Sequence, residues 1–122
     1  MRKLTSHKVN GLNDQLEILV LDEPGQGNAC HRYVINILSE TDGCSGPTIS
    51  FQDGPISESG FNGISNEALL AIVEDRLKGF QSGEYSCREN ALALTHIQDA
   101  MHWLHHRTRE RMSRGVEGTH QK

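Results

Sequence analysis

Four side chains in the C-terminal half are of the types that bind a nucleotide: Phe80, Asn90, Arg107 and Arg111. An aromatic ring stacks on a base, and a side-chain amide hydrogen-bonds to the edge of a base. Guanidinium groups form forked, charge-assisted hydrogen bonds to phosphate oxygens. Arg107 and Arg111 are one helical turn apart, so both can face one pyrophosphate. Together the four residues suit a nucleotide.

Three of these residues lie in a predicted helix that carries a seven-residue pattern. One row contains Cys87, Leu94, Met101 and Thr108, and the second contains Asn90, Ile97, Leu104 and Arg111. The middle of this seam is apolar, which favours packing against another helix, and both of its ends are polar. The simpler interpretation of the polar ends is that they emerge into solvent.

A binding interpretation of the polar ends requires a second copy of the chain. Asn90 and Arg107 are separated by about 25 Å along a helix, so they cannot share a small ligand within one subunit. If the helix crosses its own copy antiparallel near residues 98–101, Asn90 of one chain lies beside Arg107 and Arg111 of the other. A short turn would return Phe80 close to Asn90. The pattern therefore predicts two composite sites in a dimer.

That dimer would pack through the apolar part of the seam. The residues concerned are Leu94, Ile97, Met101 and Leu104. Only 5% of the 122 residues are aromatic, so the core of a 13.6 kDa chain is small, which favours burial of apolar surface between subunits.

The elements that position these residues follow from periodicity and turn signals. Alternation and β-forming residues predict strands at 15–22, 31–38 and 48–51, separated by loops at 23–29 and 41–47. Residues 1–14 are expected to fray or to add a short edge strand. The strands predict an antiparallel meander over residues 15–51.

Two helices are predicted after a glycine-rich loop at 52–63. The first spans 67–81 with Asn66 as its N-cap. The second begins at Ser86, with Glu89 as capping-box partner, and runs to about residue 113, before Gly115. The predicted fold is α+β: one domain over 1–122, with the meander, a helical hairpin at 66–114 and a mobile tail at 115–122.

Charge and composition exclude several classes of protein. The net charge of -4 argues against general nucleic-acid binding, but residues 87–122 carry +2 and five of the seven histidines, so a small anion would be drawn there. No apolar run is long enough for a membrane span or a signal peptide. The three cysteines are therefore expected to be reduced cytosolic thiols.

Three other functions compete with nucleotide binding. His102 and His106, beside His105, have the spacing of a zinc-binding pair, but the cysteines lack C-x-x-C spacing and no H-E-x-x-H motif follows. The cysteines are Cys30, Cys44 and Cys87. The prediction contains no metal and no cofactor.

The two remaining alternatives are binding of nucleic acid and enzymatic activity. The arginines available to nucleic acid do not share one helical face; they are Arg107, Arg109, Arg111 and Arg114. Glu74, Asp99 and Cys87 have the chemistry of acids and a nucleophile, but no arranged base or oxyanion pattern accompanies them. The prediction is a binding protein without enzymatic activity.

Three consecutive segments resemble the phage Thoeris anti-defence sponge family, which shares a helical-hairpin domain with the anti-CBASS sponge. They are FQDGPISESGFNGISNEALLAIVEDRLKGFQSGEYSC (51–87), RENALALTHIQDAMHWLHHRT (88–108) and RERMSRGVEGTH (109–120). The resemblance covers more than half of the chain and is specific as one long ordered string. The first fifty residues contribute no motif to it.

The resemblance implies a cytoplasmic protein in the host cell that sequesters cyclic nucleotide immune signals without cleaving them. In the Thoeris branch these are cyclic ADP-ribose isomers made by TIR enzymes, and some members also hold cyclic dinucleotides or trinucleotides. By the same resemblance, Phe80 is the base-stacking aromatic and Asn90 a polar contact. Arg107 and Arg111 are the pair that grasps the pyrophosphate. A homodimer, or a hexamer built from dimers, is expected.

Overall fold

The structure, a computed structural model, describes residues 1–38 and 45–122. An antiparallel sheet in the N-terminal half precedes a pair of long helices, which confirms the predicted α+β class. Contacts divide the chain into two compact units: a sheet unit of residues 1–54 with 59–64, and a hairpin unit of residues 55–58 with 65–122. That residues 1–122 form a single domain stays a prediction.

Four strands in sequential order form the sheet. They are β1 (Arg2–Leu4), β2 (Leu16–Val20), β3 (Arg32–Ile37) and β4 (Ser45–Ser50). A four-residue helix, α1 (Gly11–Asp14), precedes β2, and a 3₁₀ turn (Gln26–Asn28) lies between β2 and β3. The meander is as predicted, and β1 is the short edge strand expected from the first fourteen residues.

The register places apolar side chains on one face of the sheet. Ile18 pairs with Ile35 and Val20 with Tyr33, and paired residues share a face of the sheet. Val20, at 1% exposure, and Cys30, at 8%, are the buried apolar residues of the described chain. The core is therefore as small as the composition predicted.

The last strand begins earlier than predicted. Residues 45–47, expected in a loop, belong to β4, while residues 41–44 of that predicted loop lie outside the described residues. β4 lies at the edge of the sheet, and its register against β3 shifts between Thr48 and Ser45, beside Pro47; a strand tolerates proline at such edge and bulge positions. A β-carbon on Gly46 would clash with the Ile35 carbonyl oxygen, so only glycine fits this approach.

The hairpin unit contains α2 (Ile56–Ser59, in part), α3 (Asn66–Gln81) and α4 (Arg88–Ser113). Both predicted N-caps are wrong by one residue. Ser65, not Asn66, caps α3 by accepting a hydrogen bond from the Ala68 N–H at 3.1 Å. Cys87, not Ser86, caps α4, which removes the predicted capping box with Glu89.

The end of α4 agrees with the prediction. The helix stops at Ser113, and Gly115 adopts a left-handed φ of 73°, a conformation that favours glycine at a helix end. Among the described helices, none combines the length and the apolar composition that a bilayer requires.

Candidate functional site

Phe80 and Asn90 lie at the turn end of the hairpin. The Gln81 side chain accepts a hydrogen bond from the Cys87 N–H at 3.0 Å, which ties the last turn of α3 to the first turn of α4. The Cys87 sulfur then accepts from the Asn90 N–H at 3.4 Å. These bonds join the two helix ends that carry Phe80 and Asn90, and the close approach of these two side chains stays a prediction.

The Phe80 ring is available for stacking. Its side chain is 40% exposed, and the Arg76 guanidinium carbon lies 5.5 Å from the ring centroid. A cation over an aromatic face is attracted by the ring quadrupole. The Phe80 ring and the Arg76 charge therefore form an aromatic and cationic surface that suits an anionic, ring-bearing ligand.

Arg107 lies near the opposite end of α4, and its side chain is exposed. Seventeen residues separate it from Asn90, which corresponds to about 25 Å along the helix. Within one chain the structure therefore does not bring Arg107 together with Phe80 and Asn90. That all four predicted residues share one ligand stays a prediction.

Arg111 is 6% exposed. Among the residues that the structure describes, it is the one charged residue that is buried. Its Nε donates to the Glu117 carboxylate at 3.1 Å, and its Nη2 donates to the Val116 and Thr119 carbonyls at 2.9 Å each. Its Nη1 donates to the Gln121 carbonyl. Residue types do not predict this arrangement, because every residue carries a backbone carbonyl.

The apolar seam of α4 is half-buried within one chain. Leu94, Ile97, Met101 and Leu104 have intermediate exposure. α3 packs against α4, so α3 covers part of this stripe within a single hairpin. The small side chains of Ala93 and Ala100, on the flank of the seam, are exposed. Packing through this seam in a dimer stays a prediction.

Two histidines of α4 lie beside an exposed tryptophan. The ring of Trp103 lies edge-on to His102 at 5.1 Å and to His106 at 5.7 Å between centroids, and Trp103 is 64% exposed. Within residues 1–38 and 45–122, no three histidine, cysteine or acidic side chains are placed to hold a metal ion. Cys44 lies outside the described residues.

Two of the three residues considered for catalysis have structural partners. Cys87 caps α4, and Glu74 forms an ion pair with Lys78 at 3.6 Å. Asp99 is exposed on α4. These contacts give Cys87 and Glu74 roles in the hairpin itself.

A cleft in the sheet unit was not predicted. It has a volume of about 290 Å³ and is lined by His31, Arg32, Ser50, Phe51, Asp53 and Asn62. The His31 Nδ1 lies 3.9 Å from an Asp22 oxygen and 3.8 Å from an Asp53 oxygen. The His31 backbone N–H donates to Asp22 at 2.9 Å, and this bond is the main cause that lowers the pKa of Asp22.

The hairpin resembles a domain found in known proteins. Residues 45–109 match the family described as Acb2/Tad1, hairpin domain. Over 75 residues, the chain is 55% identical to a protein named Thoeris anti-defense 1 from Bacillus phage SBSphiJ7. The alignment covers 62% of this chain and 53% of that relative, so the chain spans about half the length of the curated relative it matches.

Proposed function

Because the chain belongs to the Acb2/Tad1 hairpin-domain family, we propose that it is a phage anti-defence protein that sequesters cyclic ADP-ribose isomers. These signals are made by the TIR enzymes of Thoeris, and the protein would hold them in the host cytoplasm without cleaving them. The observation that carries the proposal is the position of Phe80, Asn90 and Arg107, which all lie within the matched residues 45–109. Arg111 lies two residues beyond them.

A dimer brings the separated groups together. In a heptad frame on α4, Asn90, Ile97 and Leu104 occupy one row, and Ala93, Ala100 and Arg107 occupy the next. When this face meets its own copy antiparallel, Asn90 can lie opposite Arg107 of the partner subunit. In the same register Ile97 lies opposite an alanine and so does Leu104, so large side chains meet small ones.

The exposed alanines support this register. Ala93 and Ala100 are exposed, while the adjacent Ile97 and Leu104 are half-buried in a single chain. Small side chains let two helices approach closely, so the partner helix would cover the parts of Ile97 and Leu104 that are exposed in a single chain. The resulting pockets contain Phe80 and Asn90 from one chain and Arg107 from the other.

Each group then has one task in binding. Phe80 stacks on the base, and Asn90 hydrogen-bonds to a polar edge of the nucleotide. Arg107, and Arg111 when its N–H groups are free, bind the pyrophosphate. Stacking and phosphate contacts bind the ligand without activating any bond, which is the chemistry of sequestration.

Calorimetry against a panel of ligands tests the proposal. The panel contains cyclic ADP-ribose isomers, cyclic dinucleotides, cyclic trinucleotides and linear ADP-ribose as a control for cyclisation. We expect at least one cyclic ADP-ribose isomer to bind, and to be recovered chemically intact after the protein is denatured by heat. Absence of binding by every cyclic ADP-ribose isomer, or recovery of a hydrolysed product, would contradict the proposal.

The same panel examines the wider ligand range of the family. Binding of a cyclic dinucleotide or trinucleotide that survives Phe80→Ala would place it at a second site, as expected for a hexamer. Light scattering on the ligand-free chain measures whether the assembly is a dimer or a hexamer. A monomer at micromolar concentration would contradict the composite pocket.

Mixed dimers test whether a pocket spans two chains. Asn90→Ala subunits mixed with Arg107→Ala subunits should regain one intact site per heterodimer, while the other site carries both changes. Random exchange of equal amounts makes about half of the dimers heterodimers, so the mixture should bind at about a quarter of the sites of the unmodified dimer. If subunits exchange and the mixture binds no better than either variant alone, the pocket lies within one chain.

A further inference from the structure

The guanidinium of Arg111 is nearly saturated by its own chain. A guanidinium has five N–H groups to donate. Four hydrogen bonds run from Arg111 to the C-terminal tail, residues 115–122: one to the Glu117 carboxylate and three to backbone carbonyls. Forked binding of a phosphate requires two N–H groups on one side of the guanidinium, and the tail leaves only one unused.

Burial prevents an anion from using Arg111 while the tail is in place. Arg111 is 6% exposed, whereas Arg107, one turn earlier, is exposed. The atoms that cover Arg111 are a carboxylate and carbonyl oxygens, the same type of acceptor that a pyrophosphate presents. Tail and ligand would therefore compete for the same N–H groups.

The tail folds back on α4 through a small number of contacts that can break and re-form. Gly115 and Gly118 adopt φ values of 73° and 82°, which let the short segment turn back on α4. The Val116 N–H donates to the Arg111 carbonyl at 3.0 Å, and the Ser57 N–H donates to the Gly118 carbonyl at 2.9 Å. No large apolar side chain of the tail is buried, so a few polar contacts hold it closed.

We infer that the tail is an internal competitor of the anionic ligand at Arg111, released when phosphate oxygens replace Glu117 and the three carbonyls. The inference rests on the proposed function for the identity of the ligand. A protein whose binding-competent state is only partly populated has an apparent affinity reduced by that fraction. Weakening the closed tail should therefore tighten ligand binding.

Two matched charge removals test the competition. Glu117→Gln removes the carboxylate that pairs with Arg111, and Glu110→Gln removes one from the last turns of α4, where Glu110 pairs with Arg114. Both variants change the net charge equally, so long-range attraction of the ligand changes similarly. We expect Glu117→Gln to bind a cyclic ADP-ribose isomer about threefold or more tightly than Glu110→Gln. Equal or weaker binding by Glu117→Gln would overturn the inference.

Removal of residues 116–122 provides the larger perturbation. We expect an increase in affinity of about tenfold over the full chain, because all four acceptors are lost. Circular dichroism verifies that the truncated chain retains its helices. If truncation destabilises α4, the comparison of Glu117→Gln with Glu110→Gln still decides, since both keep the full tail.

Hydrogen exchange with inorganic pyrophosphate separates this inference from the proposed function. Pyrophosphate should accelerate exchange of the tail amides by about twofold or more, relative to chloride at the same ionic strength. In Arg111→Gln the tail amides should exchange rapidly with or without pyrophosphate. Unchanged or slower exchange in the unmodified chain would overturn the inference. Release of the tail by pyrophosphate, with no binding of any cyclic ADP-ribose isomer, would retain it and overturn the proposed function.

Discussion

The sheet unit and the hairpin unit use their polar side chains differently. In the sheet unit, Asn62 exchanges hydrogen bonds with the Asp53 backbone at 2.8 and 2.7 Å, and Gln52 donates to the Gly60 carbonyl at 2.7 Å. In the hairpin unit, the Phe80 ring is 40% exposed and Arg107 is exposed. The amides of Asn62 and Gln52 bind the backbone of their own unit, while the hairpin leaves an aromatic ring and a guanidinium partly or fully exposed.

Arg111 lies in the hairpin unit but uses its side chain as the amides of the sheet unit do. It belongs to the hairpin, but its guanidinium is bonded to its own backbone as the amides of the sheet unit are. The difference between Arg107 and Arg111 shows that residues one turn apart can be in opposite states of availability. Burial and hydrogen bonding, rather than residue type, therefore decide which groups can meet a ligand.

The largest expected effect compares the same substitution in the two units. Arg107→Ala should weaken binding of a cyclic ADP-ribose isomer by about 10- to 140-fold, because a charge-assisted bond to phosphate contributes about 1.5–3 kcal/mol. Arg32→Ala removes an exposed arginine beside the cleft of the sheet unit and should leave binding unchanged. Calorimetry measures both, and equal losses would contradict the assignment of binding to the hairpin.

The salt dependence of binding sharpens that comparison. The loss caused by Arg107→Ala should shrink at high salt, because screening has already reduced the attraction of the arginine. Phe80→Ala should weaken binding by about 1–3 kcal/mol at low and high salt alike, because the phenyl ring that stacks on the base is uncharged. Identical salt profiles for the two variants would contradict the division between stacking and charge.

The second-largest effect is a loss of stability at Gly63, whose backbone lies close to the Phe51 carbonyl just after β4. A β-carbon on Gly63 would clash with the Phe51 carbonyl group, whereas nothing lies within 4 Å of one on Gly83 in the hairpin turn. Gly63→Ala should therefore destabilise the chain by about 1–3 kcal/mol, as overpacking does. Gly83→Ala should stay within about 0.5 kcal/mol of the unmodified chain in urea unfolding. A neutral Gly63→Ala would mean that the loop after β4 can move away.

Much of the fold was predicted from periodicity. Alternation in residues 31–38 located β3, and apolar spacing located α3 and α4 to within two residues. The caps were wrong because two adjacent residues were chemically competent at each helix start, Ser65 with Asn66 and Ser86 with Cys87. The backbone conformation identifies the caps: Ser65 and Cys87 are extended and directly precede the first helical residue of α3 and α4.

Residue types were enough to propose candidate site residues, which stay a prediction, but not to describe their surroundings. The polar ends of the seam identified Asn90, Arg107 and Arg111, and the resemblance assigned a role to Phe80. The covering of Arg111 was missed because three of its four acceptors are backbone carbonyls, which every residue carries. The tail also lacks apolar periodicity, so residue types alone indicated a mobile segment.

The third effect has the opposite sign. Gly79 lies inside α3, and nothing lies within 4 Å of a β-carbon placed there. Gly79→Ala should stabilise the hairpin by about 0.5–1 kcal/mol, because glycine loses more backbone freedom on folding than alanine does. Ala71→Gly, at an exposed position of the same helix, should cost about the same amount. Urea unfolding measures both, and a destabilising Gly79→Ala would show that the last turn of α3 needs the freedom of glycine.

The smallest expected effect is a pH dependence confined to the sheet unit. The Asp22 carboxylate accepts hydrogen bonds from the backbone N–H groups of His31, at 2.9 Å, and Arg32, at 3.1 Å, and these bonds lower its pKa below the ordinary 3.8. Because the folded pKa is the lower one, the carboxylate stabilises the fold above its unfolded pKa and loses that effect as the pH falls through the folded value. Asp22→Asn should therefore melt below the unmodified chain at about pH 7, with a gap that narrows between about pH 5 and pH 3. Asp75→Asn, which changes an exposed aspartate on α3, is the control for the loss of one negative charge. A gap that stays constant with pH would mean that the Asp22 bonds act through geometry rather than through charge.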